Sequence, residues 1–397
     1  MYVVVGQLDA NSIARERDGI TARSLAEAKA ALIGWSATRG IAGNPRPGEL
    51  PCPDTSSPGT PSYGNEAGSC SAGAIGRLPW KTLGIGELKD GYGETLWYAI
   101  DGSFRKRPAN NNPINSDTRA SMQVYSPDGT ALLTQTGAEA VAIIFAPGPI
   151  IGGQLRGTAT EQTTASNYLD FAGPPTIPTL RNNATTNGPF IQGPVVDAAG
   201  TSLVNDRLLV ISASDLMAVV EKRVAKEIST LLTSYFLANG YYPYPANHND
   251  PSCLDVGPLG YFTSCSGDPS VCRGRLPMDD LSSVPVWLFY NLWGQVIYYA
   301  ASTNKLASIP TGCLPSATLT VDGNPVSGLI FTPGTPLGGI VRNAPGQSVQ
   351  LSDYLEDAVN QDGWTGLPGA NHNCTPGSAA CIPLPSANSN DKLYVLP

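Results

Sequence analysis

The residue types that most often carry catalysis or bind metals are sparse in this chain. Only two histidines occur, His248 and His372, and each lies within an Ala-Asn-His-Asn run. Histidine can serve as a general base or a metal ligand near neutral pH. However, the two runs do not occupy equivalent places in the internal repeat described below, and Asn-His-Asn is ordinary turn chemistry. We interpret both histidines as loop residues.

An acidic cluster near the C-terminus offers oxygen ligands for a calcium ion. It contains Asp353, Glu356 and Asp357. Calcium prefers carboxylate and carbonyl oxygens, but this cluster lacks the spacing of an EF-hand loop. In the first copy of the repeat, Asn167 stands where the second copy has Asp353. A solvated turn is therefore the favoured interpretation, and calcium binding stays open as a weak alternative.

Motifs for hydrolysis or nucleotide binding are absent from the sequence. The chain contains no Gly-x-Ser-x-Gly, no His-Glu-x-x-His and no phosphate-binding loop. Paired carboxylates such as Glu87 and Asp90 could act as acid and base, but any acidic surface offers such pairs. We expect no catalytic site and no cofactor; a secreted hydrolase is the least favoured function.

The charge balance argues against a nucleic-acid partner. Charged residues make up 14% of the chain, the formal net charge is -8 and the pI is about 4.8. Nucleic-acid binding needs Lys and Arg clustered along one face. No such cluster occurs in the sequence, so the partners must be of another kind.

The cysteine pattern indicates an oxidising compartment. Eight cysteines lie in loops rich in Pro, Gly and Ser, and no Cys-x-x-Cys motif points to zinc. The expected local disulfides join Cys52 to Cys70 and Cys374 to Cys381. The sequence leaves the other four unassigned, namely Cys253, Cys265, Cys272 and Cys313. Export requires a signal, and we expect that signal, and a possible membrane anchor, before Met1.

One stretch of the sequence occurs twice in similar form. IIFAPGPIIGGQLR at 143–156 matches LIFTPGTPLGGIVR at 329–342 without a gap. Gly-rich turns at the ends of strands explain the conserved small residues, because Gly adopts positive φ without strain. These repeat-motif residues are Pro147, Gly148, Gly152 and Gly153 in the first copy and Pro333, Gly334, Gly338 and Gly339 in the second.

Further matches follow in the same order on both sides. GETLWYA at 93–99 meets GQVIYYA at 294–300, and SNYLD at 166–170 meets SDYLE at 352–356. NDRLLVI at 205–211 meets NDKLYVL at 390–396. Collinear matches with drifting spacing are typical of duplication with loop insertions. The sequence therefore predicts two units, 1–212 and 213–397.

Each unit is predicted to contain one long helix followed by an antiparallel sheet, an α+β arrangement. Apolar periodicity predicts helices over about 11–38 and about 214–238. Ser212 and Asp215 form a capping-box pattern at the start of the second helix. Strands are expected at LWYAI, AVAIIFA and RLLVI in the first unit and at VIYYA, GLIF and KLYVL in the second. Asp-Gly turns at 128–129 and 322–323 predict hairpins.

The order of these motifs resembles the type IV pilins and the type II secretion pseudopilins. DGYGETLWYAI at 90–100 is similar to their Asp-x-Trp-Gly strand motif, with Tyr92 where Trp is usual; Trp293-Gly294 stands there in the second copy. ALIGWSATRG, LPCPD, GRLPWKTLG, IIFAPG and NYLD are similar to an uncharacterised group of pilin-like exported proteins of proteobacteria. The prepilin peptidase signature and the apolar half of the pilin helix are absent from this sequence.

The resemblance implies an extracytoplasmic subunit that joins other pilin-like subunits through its N-terminal helix. Its location would be the periplasm, the cell surface or an extracellular filament. Only the first helix could continue into an upstream membrane segment, so the second unit would be carried by the first. A doubled subunit suits a minor or tip position in a type IV pilus or a type II secretion-like filament. The alternative is a cell-surface adhesin that recognises glycan or protein through its second unit.

Overall fold

The computed structural model is a mixed α and β protein with antiparallel sheets and a long N-terminal helix. The chain separates into two units. Unit 1 comprises Met1–Arg39, Gly48–Asn110 and Arg119–Leu216, and unit 2 comprises Gly40–Pro47, Asn111–Thr118 and Met217–Pro397. The structure describes the chain except for residues 1, 40–45, 106–112, 135–138, 249, 254–264, 272, 312–318, 322–323, 338–339, 341, 343–352 and 356–389.

Two long helices dominate the helical content. The helices are α1 (Tyr2–Thr38), α2 (Trp80–Leu83), α3 (Ala159–Thr163), α4 (Ala213–Asn239), α5 (Val286–Tyr290) and α6 (Trp293–Val296). The first helix begins at Tyr2, so the predicted start near residue 11 was wrong. Gly6 is the weakest helix former in its N-terminal turns, and one Gly costs about 1 kcal/mol, which does not end a helix.

The strands of unit 1 are mostly short. They are β1 (Ile75–Arg77), β2 (Trp97–Ile100), β3 (Val124–Tyr125), β4 (Ala140–Ala146), β5 (Phe171–Ala172), β6 (Arg181–Asn182), β7 (Phe190–Ile191), β8 (Val195–Val196), β9 (Ser202–Val204) and β10 (Arg207–Ser212). Those of unit 2 are β11 (Arg273–Arg275), β12 (Tyr298–Ala301), β13 (Thr320–Val321), β14 (Asn324–Pro325), β15 (Gly328–Thr332) and β16 (Lys392–Leu396).

Each unit is built on one four-stranded antiparallel sheet. The strand order is β1-β2-β4-β10 in unit 1 and β11-β12-β15-β16 in unit 2. The registers correspond as well. Trp97 pairs with Phe145 in the first sheet, and Tyr298 pairs with Phe331 in the second. The collinear sequence matches therefore occupy equivalent positions in two sheets of the same order.

The central strands supply the apolar core of each unit. All seven residues of β4 and all four residues of β2 are buried, which fits their continuous runs of apolar residues. In unit 1, Trp97, Phe145 and Phe190 belong to one cluster with Tyr168. Burying such a residue contributes about 1.5–3 kcal/mol, so the two middle strands fix each sheet.

The capping box predicted for the second helix is confirmed. The Ser212 hydroxyl accepts the Asp215 amide proton at 3.1 Å, and the Asp215 carboxylate accepts the Ser212 amide proton at 3.0 Å. Lys29 of α1 also donates to the Asp215 carboxylate at 2.9 Å. The two capping hydrogen bonds satisfy backbone amides that would otherwise lack partners at the helix N-terminus.

The hairpin predicted around Asp128-Gly129 is confirmed by an antiparallel bridge between Tyr125 and Leu132, although it lies outside the four-stranded sheet. The Gly129 amide donates to the Ser126 carbonyl at 2.8 Å, and Gly129 has φ 72°. Strand β3 before the turn pairs in parallel with the distant β7.

Among the described helices, none combines the length and the apolarity that crossing a membrane requires.

Candidate functional site: the extended helix and the arginine-anchored loops

The N-terminal part of α1 extends beyond the body of unit 1. The helix has 37 residues, which gives a length of about 55 Å at 1.5 Å per residue. Every residue from Asn11 to Asp18 is exposed, including the apolar Ile13. A surface helix usually buries one stripe along its length. Here the exposed side chains of residues 11–16 are available for another molecule, while Arg17 and Asp18 contact the body of unit 1.

The packed half of α1 begins about one turn later. Thr21, Leu25, Ala28 and Leu32 are buried at a spacing of three or four residues, which places them on one face of the helix. The Thr21 hydroxyl accepts the Gly91 amide proton at 3.0 Å. The C-terminal half of α1 therefore holds the helix on its sheet.

Polar contacts mark the point where the helix reaches the sheet. The Arg17 guanidinium lies over the Tyr92 ring, 4.8 Å from its centroid. Asp18 forms an ion pair with Arg207 of β10 at 2.8 Å. Both ion-pair partners are about half exposed, and such pairs contribute about 0–1 kcal/mol, so packing rather than charge fixes the helix.

The arginine at the end of the repeated stretch donates hydrogen bonds to main-chain carbonyl groups. In unit 1, Arg156 donates through Nε to the Asn167 carbonyl at 2.7 Å and through Nη1 to the Gly148 carbonyl at 3.3 Å. Its guanidinium lies 4.4 Å from the Tyr168 ring centroid and forms an ion pair with Glu94 at 2.8 Å. Arg156 thereby ties the turn after β4 to the NYLD segment.

Arg342 repeats three of these four contacts in unit 2. It donates through Nε to the Asp353 carbonyl and through Nη1 to the Gly334 carbonyl, the latter at 2.8 Å. Its guanidinium lies 5.1 Å from the Tyr354 ring centroid. The Arg, the Gly-rich turn and the Tyr thus recur in the sequence because each unit uses them to anchor the same loop.

The first glycine of each repeated turn has a steric role. Gly148 has φ 70° and Gly334 has φ 66°, both in the left-handed region that favours glycine. A Cβ at Gly148 would lie 3.1 Å from Asn205, and a Cβ at Gly334 would lie 2.4 Å from Asn390. Each Asn side chain donates to a carbonyl of its turn at 2.7 Å.

A pair of buried carboxyl groups lies beside this anchor in unit 1. The Asp206 carboxylate accepts the Asp170 amide proton at 2.7 Å and an Asn183 side-chain proton at 2.9 Å. The Asp170 carboxylate accepts the Asn205 amide proton at 2.8 Å and a Gln154 side-chain proton at 2.7 Å. The pair therefore joins the loops that carry the repeated motif.

The two carboxyl groups of this pair titrate together. Burial raises the pKa of Asp170 to about 6, although its two backbone donors and Arg156 oppose that rise. Burial and the neighbouring Asp170 charge also raise the pKa of Asp206 well above its usual value. Both carboxyl groups therefore keep their protons to a higher pH than a solvent-exposed aspartic acid does. No local sequence pattern indicates this pair, because the two acids are far apart in the chain.

A second buried arginine recurs in the GRLP motif of each unit. Arg77 exchanges main-chain hydrogen bonds of 2.9 Å with Asp54, and Arg275 exchanges bonds of 3.0 and 2.9 Å with Ala246. The Arg77 guanidinium lies 5.9 Å from the Trp97 ring centroid. The Arg275 guanidinium lies 5.3 Å from the Tyr298 ring centroid.

Two disulfides occur in the described part of the chain. Cys52 pairs with Cys70, as the sequence predicted, and Cys253 pairs with Cys265, which the sequence left unassigned. Disulfides are typical of proteins that fold in an oxidising compartment, so this chain belongs outside the cytoplasm. Four cysteines, including the predicted Cys374 and Cys381 pair, lie outside the described residues; the other two are Cys272 and Cys313.

The remaining predicted site residues are placed as follows. Among the described residues, no three His, Cys, Asp or Glu side chains converge in a way that could hold a metal ion. Asp353 accepts a proton from Arg342 through its main-chain oxygen, while Glu356 and Asp357 lie outside the described residues. His248 packs against the Tyr298 ring, with centroids 5.5 Å apart, and His372 is not among the described residues.

The repeated turn of unit 1 borders an open cleft. Its volume is about 1000 Å³, and its wall includes Gly152, Gly153, Asp170, Phe171 and Pro174. The Phe171 side chain is 61% exposed. An aromatic ring beside hydrogen-bonding groups is suited to ligand contact. The equivalent Gly338 and Gly339 of the second copy lie outside the described residues.

No protein-family model, curated protein or solved structure matches this chain. The functional inference therefore depends on the chain's own residues.

Proposed function

We propose that this chain is an extracytoplasmic, pilin-like structural subunit with two tandem pilin-like units. In this proposal it joins other pilin-like subunits through α1, as a minor or tip component of a type IV pilus or a type II secretion-like filament. It acts in assembly and performs no catalysis.

The observation that supports this function is the exposure of α1 over residues 11–18. An isolated helix of fewer than about 15 residues is marginally stable in water, so an extended helix gains stability by packing against a neighbour. Arg15 and Glu16 place both signs of charge on this segment, whereas Arg17 and Asp18 contact Tyr92 and Arg207 of unit 1. Such a surface is suited to ion pairs with neighbouring helices.

The second long helix cannot serve the same purpose. It directly follows β10, and Leu216, Val220, Val224 and Ile228 are all buried along it. The apolar stripe of α4 is therefore already buried within the fold. The second unit is then carried by the first, and a subunit of doubled bulk fits a tip more easily than a densely stacked shaft.

The experiment is a deletion of residues 1–14 from the full-length protein. Since residues 11–14 are exposed, we expect the deletion to leave the thermal unfolding temperature unchanged. We also expect the shortened protein to disappear from the filament or membrane fraction of its native cells. Leu32→Ala is the matched control, because it weakens packing of the same helix without shortening its exposed segment.

The two variants should separate assembly from stability. Leu32→Ala should lower the unfolding temperature, and its remaining folded fraction should still enter the assembly. Retention of the deleted protein in the filament fraction, at the level of the full chain, would refute the assembly role of α1.

A second candidate function is a cell-surface binding module that recognises glycan or protein. The observation that favours it is the cleft beside Phe171, which lies in unit 1 rather than in the expected second unit. A glycan array probed with the purified protein tests it. Phe171→Ala should abolish any binding through the cleft, whereas Leu180→Ala, which also removes an exposed apolar side chain, should not.

A further inference from the structure

Turn geometry accounts for only one member of the Gly152-Gly153 pair. Gly152 has φ 56°, which lies in the left-handed region that favours glycine. The φ of Gly153 is not positive, so the backbone conformation at this position does not require glycine. The pair nevertheless recurs in the second copy of the repeat, as Gly338 and Gly339. The second glycine of the pair therefore needs another explanation.

Packing within the fold does not require glycine at position 153 either. A Cβ at Gly153 would meet no atom of the described residues within 4 Å. The space in front of Gly153 is the open cleft of about 1000 Å³, which we call the unit 1 cleft. Glycine is also used where the backbone must approach a ligand closely. A ligand in the unit 1 cleft would explain this glycine, which neither conformation nor packing explains.

The backbone of the glycine pair has unused hydrogen-bond donors. The amides on either side of the pair are satisfied within the turn: Ile151 donates to Gln154 Oε1 at 3.2 Å, and Gln154 donates to the Ile151 carbonyl at 3.3 Å. In the part of the chain that the structure describes, the amides of Gly152 and Gly153 have no acceptor. Two neighbouring amides in the cleft wall are thus available to a ligand.

The cleft wall also contains two hydroxyl groups and one exposed aromatic ring. Ser166 and Ser202 are wall residues, and neither hydroxyl forms a hydrogen bond with another described residue. Phe171 in the same wall is 61% exposed. A hydroxyl group can donate and accept, while an aromatic ring presents a flat apolar surface. The unit 1 cleft therefore combines directional polar groups with an apolar contact.

The charged residues of the cleft wall are acidic. Asp170 and Asp197 line the cleft, and none of the described wall residues is Lys, Arg or His. Arg156 donates to Gln154 of the wall at 2.8 Å, but its guanidinium is already paired with Glu94 at 2.8 Å. Like charges brought together in a binding site are unfavourable. An anionic ligand would therefore be disfavoured in this cleft.

We propose that the unit 1 cleft binds a neutral glycan, which lies against the backbone of Gly152 and Gly153 and stacks on Phe171. This inference rests on the second candidate function, in which the chain binds a ligand through this cleft. Sugar hydroxyls donate and accept, so they match the amides, hydroxyls and carboxylates of the wall. The C–H groups on one face of a sugar ring match the negative face of an aromatic ring.

The size of the cleft fits an oligosaccharide. Pockets for small ligands have volumes of about 300–1,000 Å³, and the unit 1 cleft lies at the upper end of this range. A protein partner fits less well, because stable protein interfaces bury about 800 Å² on each side around several large anchors. Phe171 is the single large apolar side chain that is exposed among the described wall residues.

The experiment compares Gly153→Ala with Gly86→Ala in the full-length protein. Gly86 is the matched control because it is also exposed, its φ is not positive, and its Cβ would meet no described atom within 4 Å. It does not belong to the cleft wall. Neither variant should lower the thermal unfolding temperature, since the added methyl group displaces nothing in the fold. The methyl group at position 153 would occupy the place of the ligand.

The probe is an array of neutral oligosaccharides, each paired with a counterpart that carries a carboxylate or a sulfate. We expect binding to neutral members and binding about tenfold weaker or less to their charged counterparts. Calorimetric titration with the strongest neutral binder then gives its Kd. The Kd should rise about tenfold or more in Gly153→Ala and stay unchanged in Gly86→Ala.

The possible results separate this inference from the second candidate function. Equal binding of the charged counterparts would overturn the ligand class but leave the binding function in place. Neutral binding that survives Gly153→Ala would overturn the position of the ligand, again without contradicting that function. If no glycan binds, or if the protein captures a protein partner and no glycan, the inference is wrong. The filament role is independent of all these results.

Discussion

Arg156 donates to the main-chain oxygen of Asn167 at 2.7 Å, across a separation of eleven residues. Arg342 and Asp353 repeat this relationship in unit 2. Because main-chain oxygens accept the protons, the anchor requires the arginine but tolerates the change from Asn to Asp at its partner. This explains why both arginines recur while the residues around them vary.

Arg156→Lys should destabilise unit 1 by about 1–3 kcal/mol, since an ammonium group cannot reproduce the planar set of donors and the contact with Tyr168. The measurement is urea unfolding followed by hydrogen exchange in β4 and β10. Arg207→Lys is the matched control at an exposed site and should change stability by about 0.5 kcal/mol or less. Equal losses in the two variants would contradict the anchor role.

Replacing the first glycine of each turn by alanine should destabilise both units, with the larger effect in unit 2. Both positions have positive φ, but the Cβ of Gly334→Ala would lie closer to Asn390 than the Cβ of Gly148→Ala would lie to Asn205. We expect a loss of about 1–2 kcal/mol at Gly148 and a larger loss at Gly334. Chemical denaturation of the two variants measures the order, and the reverse order would count against this geometry.

The stability of unit 1 should fall as the pH rises from about 4 to above 6. Asp170 has a pKa of about 6 in the folded chain against a usual value of 3.8, so the folded state binds more protons than the unfolded state across this range. The free energy of unfolding must then decrease with pH, by about 3 kcal/mol for a shift of two pKa units. Thermal unfolding between pH 4 and pH 8 provides the measurement.

Asp170→Asn is the variant that isolates this effect, because it removes the carboxyl group that titrates in this range. We expect the variant to lose most of the pH dependence of unit 1 stability between pH 4 and pH 8. A parent chain whose unit 1 stability is flat between pH 4 and pH 8 would show that the pair is not protonated as inferred.

Removing the Cys52 and Cys70 disulfide should destabilise unit 1 by about 2–4 kcal/mol, because the cross-link restricts a loop with a sequence separation of 18 residues in the unfolded chain. A double Cys→Ala variant at 52 and 70, compared with one at 253 and 265, separates the two units. Hydrogen exchange should increase in β1 and β2 for the first variant only. Unchanged exchange in β1 and β2 would be the contrary result.

The sequence predicted the features that local pattern determines. The continuous apolar run at 140–146 predicted β4 with its observed bounds, and the Ser212 and Asp215 pattern predicted the start of α4. The repeat gave the equivalence of the two sheets, because matched residues in duplicated units tend to keep one register. The Cys52 and Cys70 pair followed from the short loop between them.

Contacts between distant segments could not be predicted in the same way. Strand β3 pairs in parallel with β7, and Asp170 meets Asp206, although nothing in either local pattern indicates a partner. The N-terminal turns of α1 were missed because their apolar stripe is weak. The repeated arginine was visible in the sequence, but its role depends on carbonyl groups that no side-chain pattern marks.

The most direct measurement of the assembly role places a photo-cross-linking amino acid at Ile13 of the full chain in its native cells. Ile13 is 49% exposed on the extended segment of α1, and Leu237, which is 79% exposed on α4, is the control position. We expect cross-links from position 13 to the helix of a neighbouring subunit and none from position 237. No cross-link at position 13, or equal cross-linking at both positions, would contradict assembly through α1.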